Sequence, residues 1–209
     1  MQNIKIVFAS SNAGKIKEMN YLINKNLNSA DINNINIELL SLKDGGFTDD
    51  IIENGATFEE NAEIKARAAF DATGMICFAD DSGLCVDYLN GAPGINSARY
   101  SGGSSNDNIN KLLGELKDVP DAQRNAHFYC AIYCVTDKTT SFCVSGKCEG
   151  VITREQIGEG GFGYDPVFYY PPLNKTFAQT SDEEKNKVSH RALAAEQFAN
   201  EIVRYIKYI

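Results

Sequence analysis

The run Ala79-Asp80-Asp81-Ser82-Gly83-Leu84 holds the residue types best suited to chemistry. An apolar, strand-like stretch, Met75-Ile76-Cys77-Phe78, leads into two adjacent carboxylates and a Ser-Gly pair. A strand ending in two acids and a turn would set negative charge at the carboxyl edge of a sheet, where α/β proteins bind ligands. Two neighbouring carboxylates repel unless a cation joins them. Asp80 and Asp81 are therefore a candidate Mg²⁺ site with a general base beside it. On residue types alone a solvated turn is the simpler account, because Asp, Ser and Gly are ordinary turn residues. Other phosphate-type signals along the chain shift that balance.

Ser10-Ser11-Asn12-Ala13-Gly14-Lys15 falls between a first strand and a first helix. A helix amino end offers unpaired N–H groups and a positive dipole end to a phosphate, and Lys15 adds a point charge. The run is not a P-loop, since Ala9 and Ile16 stand where that motif needs a glycine and a hydroxyl. Taken alone, a capped turn with an exposed lysine is the better account. Glu53, before Asn54-Gly55, is a candidate distant metal ligand, evenly balanced against a solvated turn acid.

Gly160-Gly161-Phe162-Gly163-Tyr164-Asp165-Pro166 is too dense in glycine and aromatics for a plain linker. Glycines let a backbone approach a flat ligand, Phe162 offers a stacking face, and Asp165 offers hydrogen bonds. The alternative is a tight, aromatic-filled loop. Lys185 to Arg191 gathers Lys185, Ser189, His190 and the forked donor Arg191 before the last helix, or forms an ordinary solvated helix start. His127 opens an apolar strand and reads as structural.

The 209-residue chain is 43% hydrophobic and 23% charged, which argues against disorder, and its length, 1–209, suits one large domain or two lobes. A net charge of −8 withholds the basic face that duplex nucleic acid requires, so no nucleic-acid partner is expected. No apolar stretch approaches the ~20 residues of a membrane span. Six cysteines occur without a CxxC pair, and no signal peptide precedes them. They read as reduced, cytoplasmic thiols, with Cys85 the one to watch for oxidation beside the acids.

These residues need elements to hold them. Ile4 to Ala9 reads as a strand, and Gly14 to Ile23 as a helix with Ile16, Met19 and Ile23 on one face. Asn24 to Asn36 reads as a helix end plus loop, and Ile35 to Leu40 as a strand. Thr57 to Glu60 fits a capping box, opening a helix with Phe58, Ala62, Ala66 and Ala69 inward and Gly74 as its stop. Leu84 to Tyr88 suggests a further strand, and Asn106 a cap for a helix carrying Ile109, Leu112, Leu113 and Leu116. His127 to Thr136 and Ser141 to Glu149 read as an antiparallel hairpin. Ser181 to Glu184 fits a second capping box, before a final helix with Leu193, Phe198, Ile202 and Tyr205 or Ile206 inward. The fold class is α/β, a mixed sheet flanked by helices.

At these residues the chain resembles the noncanonical purine nucleoside triphosphate pyrophosphatases, also called inosine triphosphatases. The matching segments, in order, are Ser11 to Lys15, Glu53 to Ala66 (with Asn61 and Lys65), Ala79 to Asp87, Gly91 to Tyr100, Gly161 to Pro166 and Ser189 to Arg191. The resemblance implies an elongated two-lobed fold around a nucleotide-binding cleft, a homodimer, and Mg²⁺-dependent hydrolysis of ITP, dITP and XTP to monophosphate and pyrophosphate. It implies Asp81 as catalytic base and metal ligand, Asp80 in support, and Glu53 as a second ligand. It further implies Ser10 to Lys15 and Lys185 on the triphosphate, and Ser82 on the substrate. Phe162, Gly163, Tyr164 and Asp165, with His190 and Arg191, would line the base pocket. The chain departs from the family in Ser10-Ser11, where Thr-Gly is common, and in Gln179, where a glutamate is usual.

The mechanism these residues allow is attack on the α-phosphorus by a water that one aspartate orients, with Lys15 and Lys185 steadying the departing pyrophosphate. Donors from His190 and Arg191 would pair with the 6-oxygen of inosine or xanthine and reject adenine's amino group. Two rivals use the same residues: a different Mg²⁺-dependent nucleotide phosphohydrolase or kinase, and a non-catalytic nucleotide sensor.

Overall fold

A computed structural model describes residues 2–28, 35–47 and 51–207. Strands β1 (Gln2–Phe8), β2 (Ile35–Ser41), β3 (Ile76–Val86), β4 (Asn125–Val135), β5 (Ser141–Ile152), β6 (Phe168–Tyr170) and β7 (Lys175–Thr176) form one mixed sheet. Their order is β2-β1-β3-β4-β5-β6-β7. β1 runs parallel to β2 and β3, while β6 runs antiparallel to β5 and β7. Helices α1 (Ala13–Asn28), α2 (Phe58–Thr73), α3 (Ser105–Glu115), α4 (Asp182–Val188) and α5 (His190–Lys207) complete the fold. This is the expected α/β class. Among the described residues no helix is long and apolar enough to cross a membrane.

The chain divides into two compact units. The first holds Met1–Asp81, Cys130–Gly146 and Arg191–Ile209; the second holds Ser82–Tyr129 and Lys147–His190.

In the first unit the two faces of the sheet are filled differently. On one, Ile6, Phe8 and Phe78 pack with Met19, Leu22 and Ile23 of α1 and Phe198 and Ile202 of α5. Phe78 stacks on Phe8 at 4.6 Å and tilts against Phe198 at 4.6 Å. Truncating a buried phenylalanine such as Phe78 costs about 3–5 kcal/mol. On the other face Ala66 and Ala69 of α2 meet Val7, Cys77 and Ala79. Small alanines let that helix lie close to the strands. Thr57 caps α2 by accepting from the Glu60 N–H, and Gly74 ends it in the left-handed region at φ 66°. Glu60 reaches back one residue beyond the expected box, accepting from the Ala56 N–H.

The second unit has its own core, in which Leu84, Val86, Ile109, Leu112, Phe128 and Phe168 meet. Buried Arg124 ties its periphery together by donating to the carbonyls of Leu116, Ile152 and Thr153. The cap of α3 is Ser104, in a capping box with Asp107, rather than Asn106. The Ser181–Glu184 box is present as expected.

α1 runs on past Ile23 to Asn28, which supplies the helix end expected from Asn24 onward; 29–34 lie outside the described residues. Leu193 of α5 is only half-buried, with Ala194 and Ala195 taking the inner positions beside Phe198. The largest difference is at Ser82-Gly83. β3 continues unbroken from Ile76 to Val86, so the acids lie within a strand and Leu84 to Val86 is no separate element. Gly83 is there for space, since a Cβ would collide with Ser97 Oγ and the Gly94 carbonyl.

Candidate active site

The parallel pairing of β1 with β3 stops at Phe8 and Phe78, and the last bond is Ala9 N–H to the Phe78 carbonyl at 2.7 Å. Asp80 and Asp81 lie immediately past that point. They still mark the carboxyl end of the parallel strands, although their own strand goes on.

Successive strand residues face opposite sides of a sheet. Asp80 therefore shares a face with Phe78, and Asp81 with Cys77 and Ala79. The two carboxylates do not form the side-by-side pair expected from their adjacency. The side chain of Asp80 is wholly buried, 3.0 Å from Lys15 Nζ and 3.9 Å from Arg191 Nε. Burial would raise its pKa, but Lys15, then Arg191 and Lys65, more than offset this and hold the carboxyl below its ordinary range. Arg191 also pairs with Glu18 at 3.1 Å.

Asp81 meets a different set. Lys65 Nζ stands 3.7 Å from Asp81 Oδ1 and 3.2 Å from Glu53 Oε2, and Asn61 donates to Asp81 Oδ2 at 3.1 Å. Burial pushes the Asp81 carboxyl up, with Lys65, Lys15 and Asn61 only partly countering it and Glu53 adding to the rise. Asn61 and Lys65 are one helical turn apart on the inner face of α2. Neither they nor Glu18 stood out in the sequence as bearing a role. The available signal was polar side chains at positions where the alanine stripe demanded apolar ones.

These residues suit a hard dication. Glu53 and Asp81 both face Lys65, so their oxygens would suit a Mg²⁺ bound through one or two carboxylates plus substrate phosphates; among the described residues no group of three or more His, Cys, Asp or Glu side chains gathers to hold a metal. Four carboxylates (Glu18, Glu53, Asp80, Asp81) against three cations (Lys15, Lys65, Arg191) leave one negative charge. A dication would turn the group positive, toward a polyphosphate.

At the amino end of α1, Ser11, Asn12 and Gly14 are exposed and Ser10 half-buried. Asn12 Oδ1 accepts from the Lys15 N–H at 3.1 Å, and Ser10 Oγ from the Asn12 N–H at 3.3 Å. The backbone of Ala13 opens the helix. Ser11 is not among the non-glycine residues of positive φ, so serine sits there without strain.

In the second unit, Phe162 is 42% exposed at the tip of the glycine-rich loop. Lys185 Nζ lies 4.8 Å from its ring centroid and 5.5 Å from that of Phe177. The buried Asp165 carboxylate accepts from the Phe162 N–H at 2.8 Å and from Lys185 Nζ at 2.5 Å. Lys185 thus braces the aromatic loop, whereas Lys15 lies with Asp80 in the first unit. Gly161 and Gly163 have φ of 72° and 60°. A Cβ on Gly161 would strike the Asp165 carboxylate. Tyr164 is a core strut whose hydroxyl donates to the Ser97 carbonyl at 2.9 Å. His190 is buried and stacks on Phe128 at 4.7 Å and 13°. Ser82 is half-buried in β3. Gln179 accepts from the Thr176 N–H at 3.0 Å and caps a short turn.

The match to a family model described as the Ham1 family spans residues 6–201. The chain belongs to the Ham1 family. It is 43% identical over 211 residues to the dITP/XTP pyrophosphatase of Clostridium perfringens, covering 97% of this chain and 99% of that one. It is 46% identical to the dITP/XTP pyrophosphatase of Shigella flexneri, covering 91% and 93%. The solved structure of a HAM1 protein from Coxiella burnetii superposes with a TM-score of 0.84 at 38% identity, covering 96% of this chain and 99% of that one. The Ham1 fold accounts for the mixed sheet and flanking helices found here.

Proposed function

We propose that the chain hydrolyses deaminated purine nucleoside triphosphates (dITP, XTP and ITP) to the monophosphate and pyrophosphate, clearing them from the nucleotide pool. Relatives of near-full-length similarity carry dITP/XTP pyrophosphatase as their name. The observation that carries the mechanism is the opposed setting of the two aspartates. Neighbouring carboxyls pushed apart in acidity divide the labour of a site. Asp81, facing Glu53 and Lys65, acts as base and metal ligand. Asp80 acts as anchor for Lys15 and Arg191.

Mg²⁺, held by Glu53 and Asp81, would neutralise charge on the phosphate oxygens. Asp81 orients and deprotonates the attacking water, and Lys15 with the amino end of α1 steadies the pyrophosphate. Ser10 to Gly14 contact the triphosphate, and Ser82 the substrate. Phe162 offers its exposed ring to the purine, braced by Lys185 and Asp165. His190 and Arg191 read the 6-oxygen. A homodimer and a cytoplasmic setting follow the family resemblance and the six free thiols. The acidic net charge supports a small-molecule partner rather than a nucleic acid.

The test is incubation with dITP, XTP, ITP and ATP, each with Mg²⁺ and with EDTA, assaying pyrophosphate and orthophosphate separately. Mg²⁺-dependent pyrophosphate from the first three and little from ATP is expected. Orthophosphate would favour another phosphohydrolase, and binding without product a sensor. Glu53→Gln should raise the half-saturating Mg²⁺ about ten-fold or more, since even outer-shell changes cost that much.

A further inference from the structure

Asn61 links two parts of the first unit. It is 1% exposed on the inner face of α2. Its side-chain oxygen accepts from the Gly55 N–H at 2.9 Å, and its amide nitrogen donates to Asp81 Oδ2 at 3.1 Å. The partners fix the direction of the carboxamide, because a backbone N–H only donates and an ionised carboxylate only accepts. With Oδ2 tied, Asp81 Oδ1 is the oxygen turned to Lys65, which in turn holds Glu53. A partial rotation of the carboxylate about its Cβ–Cγ bond would break that tie, so the bond fixes the plane of the group. Gly55 closes the link from the other side. A Cβ there would stand 2.7 Å from Glu60 Cβ and 2.9 Å from the Asn61 nitrogen and Oδ1. Glycine is what lets the segment carrying Glu53 settle onto the start of α2.

We propose, resting on the function above, that Asn61 is a positioning residue: it holds one oxygen of Asp81 so that the other faces metal and water in a fixed orientation, and through Gly55 keeps Glu53 in the same frame. Such partners of ligating groups typically govern 10–100-fold in affinity or rate.

Two substitutions separate the bonds. Asn61→Asp keeps the shape and the acceptor for Gly55 but removes the donor to Asp81. Asn61→Ala removes both. For each, kcat for dITP should fall about 10–100-fold while KM moves less than about three-fold. The Mg²⁺ concentration giving half-maximal thermal stabilisation, without substrate, should rise about ten-fold. Rates are referred to the folded fraction read by circular dichroism on the same samples. If Asn61→Asp works within about two-fold of wild type and responds to Mg²⁺ unchanged, Asn61 only braces the Gly55 loop and the proposal falls. A loss that disappears on correcting for folded protein also overturns it. A wild-type chain inert toward dITP would refute the assigned reaction instead, and the Mg²⁺ response of the variants would still judge Asn61.

Discussion

Lys15 Nζ lies 3.0 Å from Asp80 Oδ2, on a carboxylate whose side chain has no solvent exposure. Asp80 thereby ties the first turn of α1 to β3, and the proposed function gives the chemistry to Asp81, on the opposite face. Asp80→Asn would leave Lys15 and Arg191 facing a neutral amide. Breaking a buried pair costs about 3–5 kcal/mol, on the order of ten degrees in Tm for a chain of this length. Asp81→Asn should leave Tm nearly unchanged, because burial already disfavours its charge, yet lower kcat about 10²–10⁴-fold. Differential scanning fluorimetry and pyrophosphate release on both variants check this split. The reverse pattern would exchange the two roles.

Phe162→Ala removes the exposed ring above Lys185. Stacking of a base on an aromatic is worth about 1–3 kcal/mol and tolerates any base. kcat/KM should fall about 5–150-fold for dITP and XTP alike, with their ratio to ATP unchanged. A change in that ratio, measured by competition, would make Phe162 a specificity residue rather than a platform.

The elements that carry the site were readable from pattern. The Thr57 cap and the Gly74 stop are present because they rest on interactions local to α2, and the Ala62, Ala66 and Ala69 stripe is buried because its helical spacing puts one small face toward the sheet. The relation of Asp80 to Asp81 was not readable. A Ser-Gly pair after two acids spells a turn locally, but Gly83 instead admits Ser97 of the short 3-10 helix Gly94–Arg99, and the strand runs through. Asn61 and Lys65 were hidden for the same reason: their partners, Gly55, Asp81 and Glu53, are brought together only by tertiary packing. The pairing of Lys185 with the buried Asp165 was likewise not readable, because it joins side chains twenty residues apart.

Gln179 stands where the family resemblance implies a glutamate, yet its side-chain oxygen fills the cap on Thr176 that a carboxylate would fill. Lys175 and Lys185 are held by Glu184 and Asp165 instead. Gln179→Glu should therefore leave kcat/KM for dITP within about two-fold. A gain of about ten-fold or more in steady-state assays would mean that a carboxylate at 179 serves the reaction.

Cys85 is buried and its thiol is pushed up by burial, so it is expected to resist oxidation despite its place near the acids. Cys143 is the exposed thiol, raised to about 11 by burial of its sulfur and by Glu59 and Glu63. The thiolate is the reactive form, so its modification by iodoacetamide should quicken about ten-fold per pH unit from neutrality toward that value. Peptide mapping should find Cys77, Cys85, Cys130, Cys134 and Cys148 unmodified in the native protein. Rapid labelling of Cys85 at neutral pH would contradict this account.

The most direct test of the reaction is the fate of the attacking oxygen. dITP should be hydrolysed in water enriched in heavy oxygen, and both products weighed by mass spectrometry. Attack on the α-phosphorus predicts label in the monophosphate and none in the pyrophosphate. Label in the pyrophosphate, or orthophosphate as the product, would contradict it.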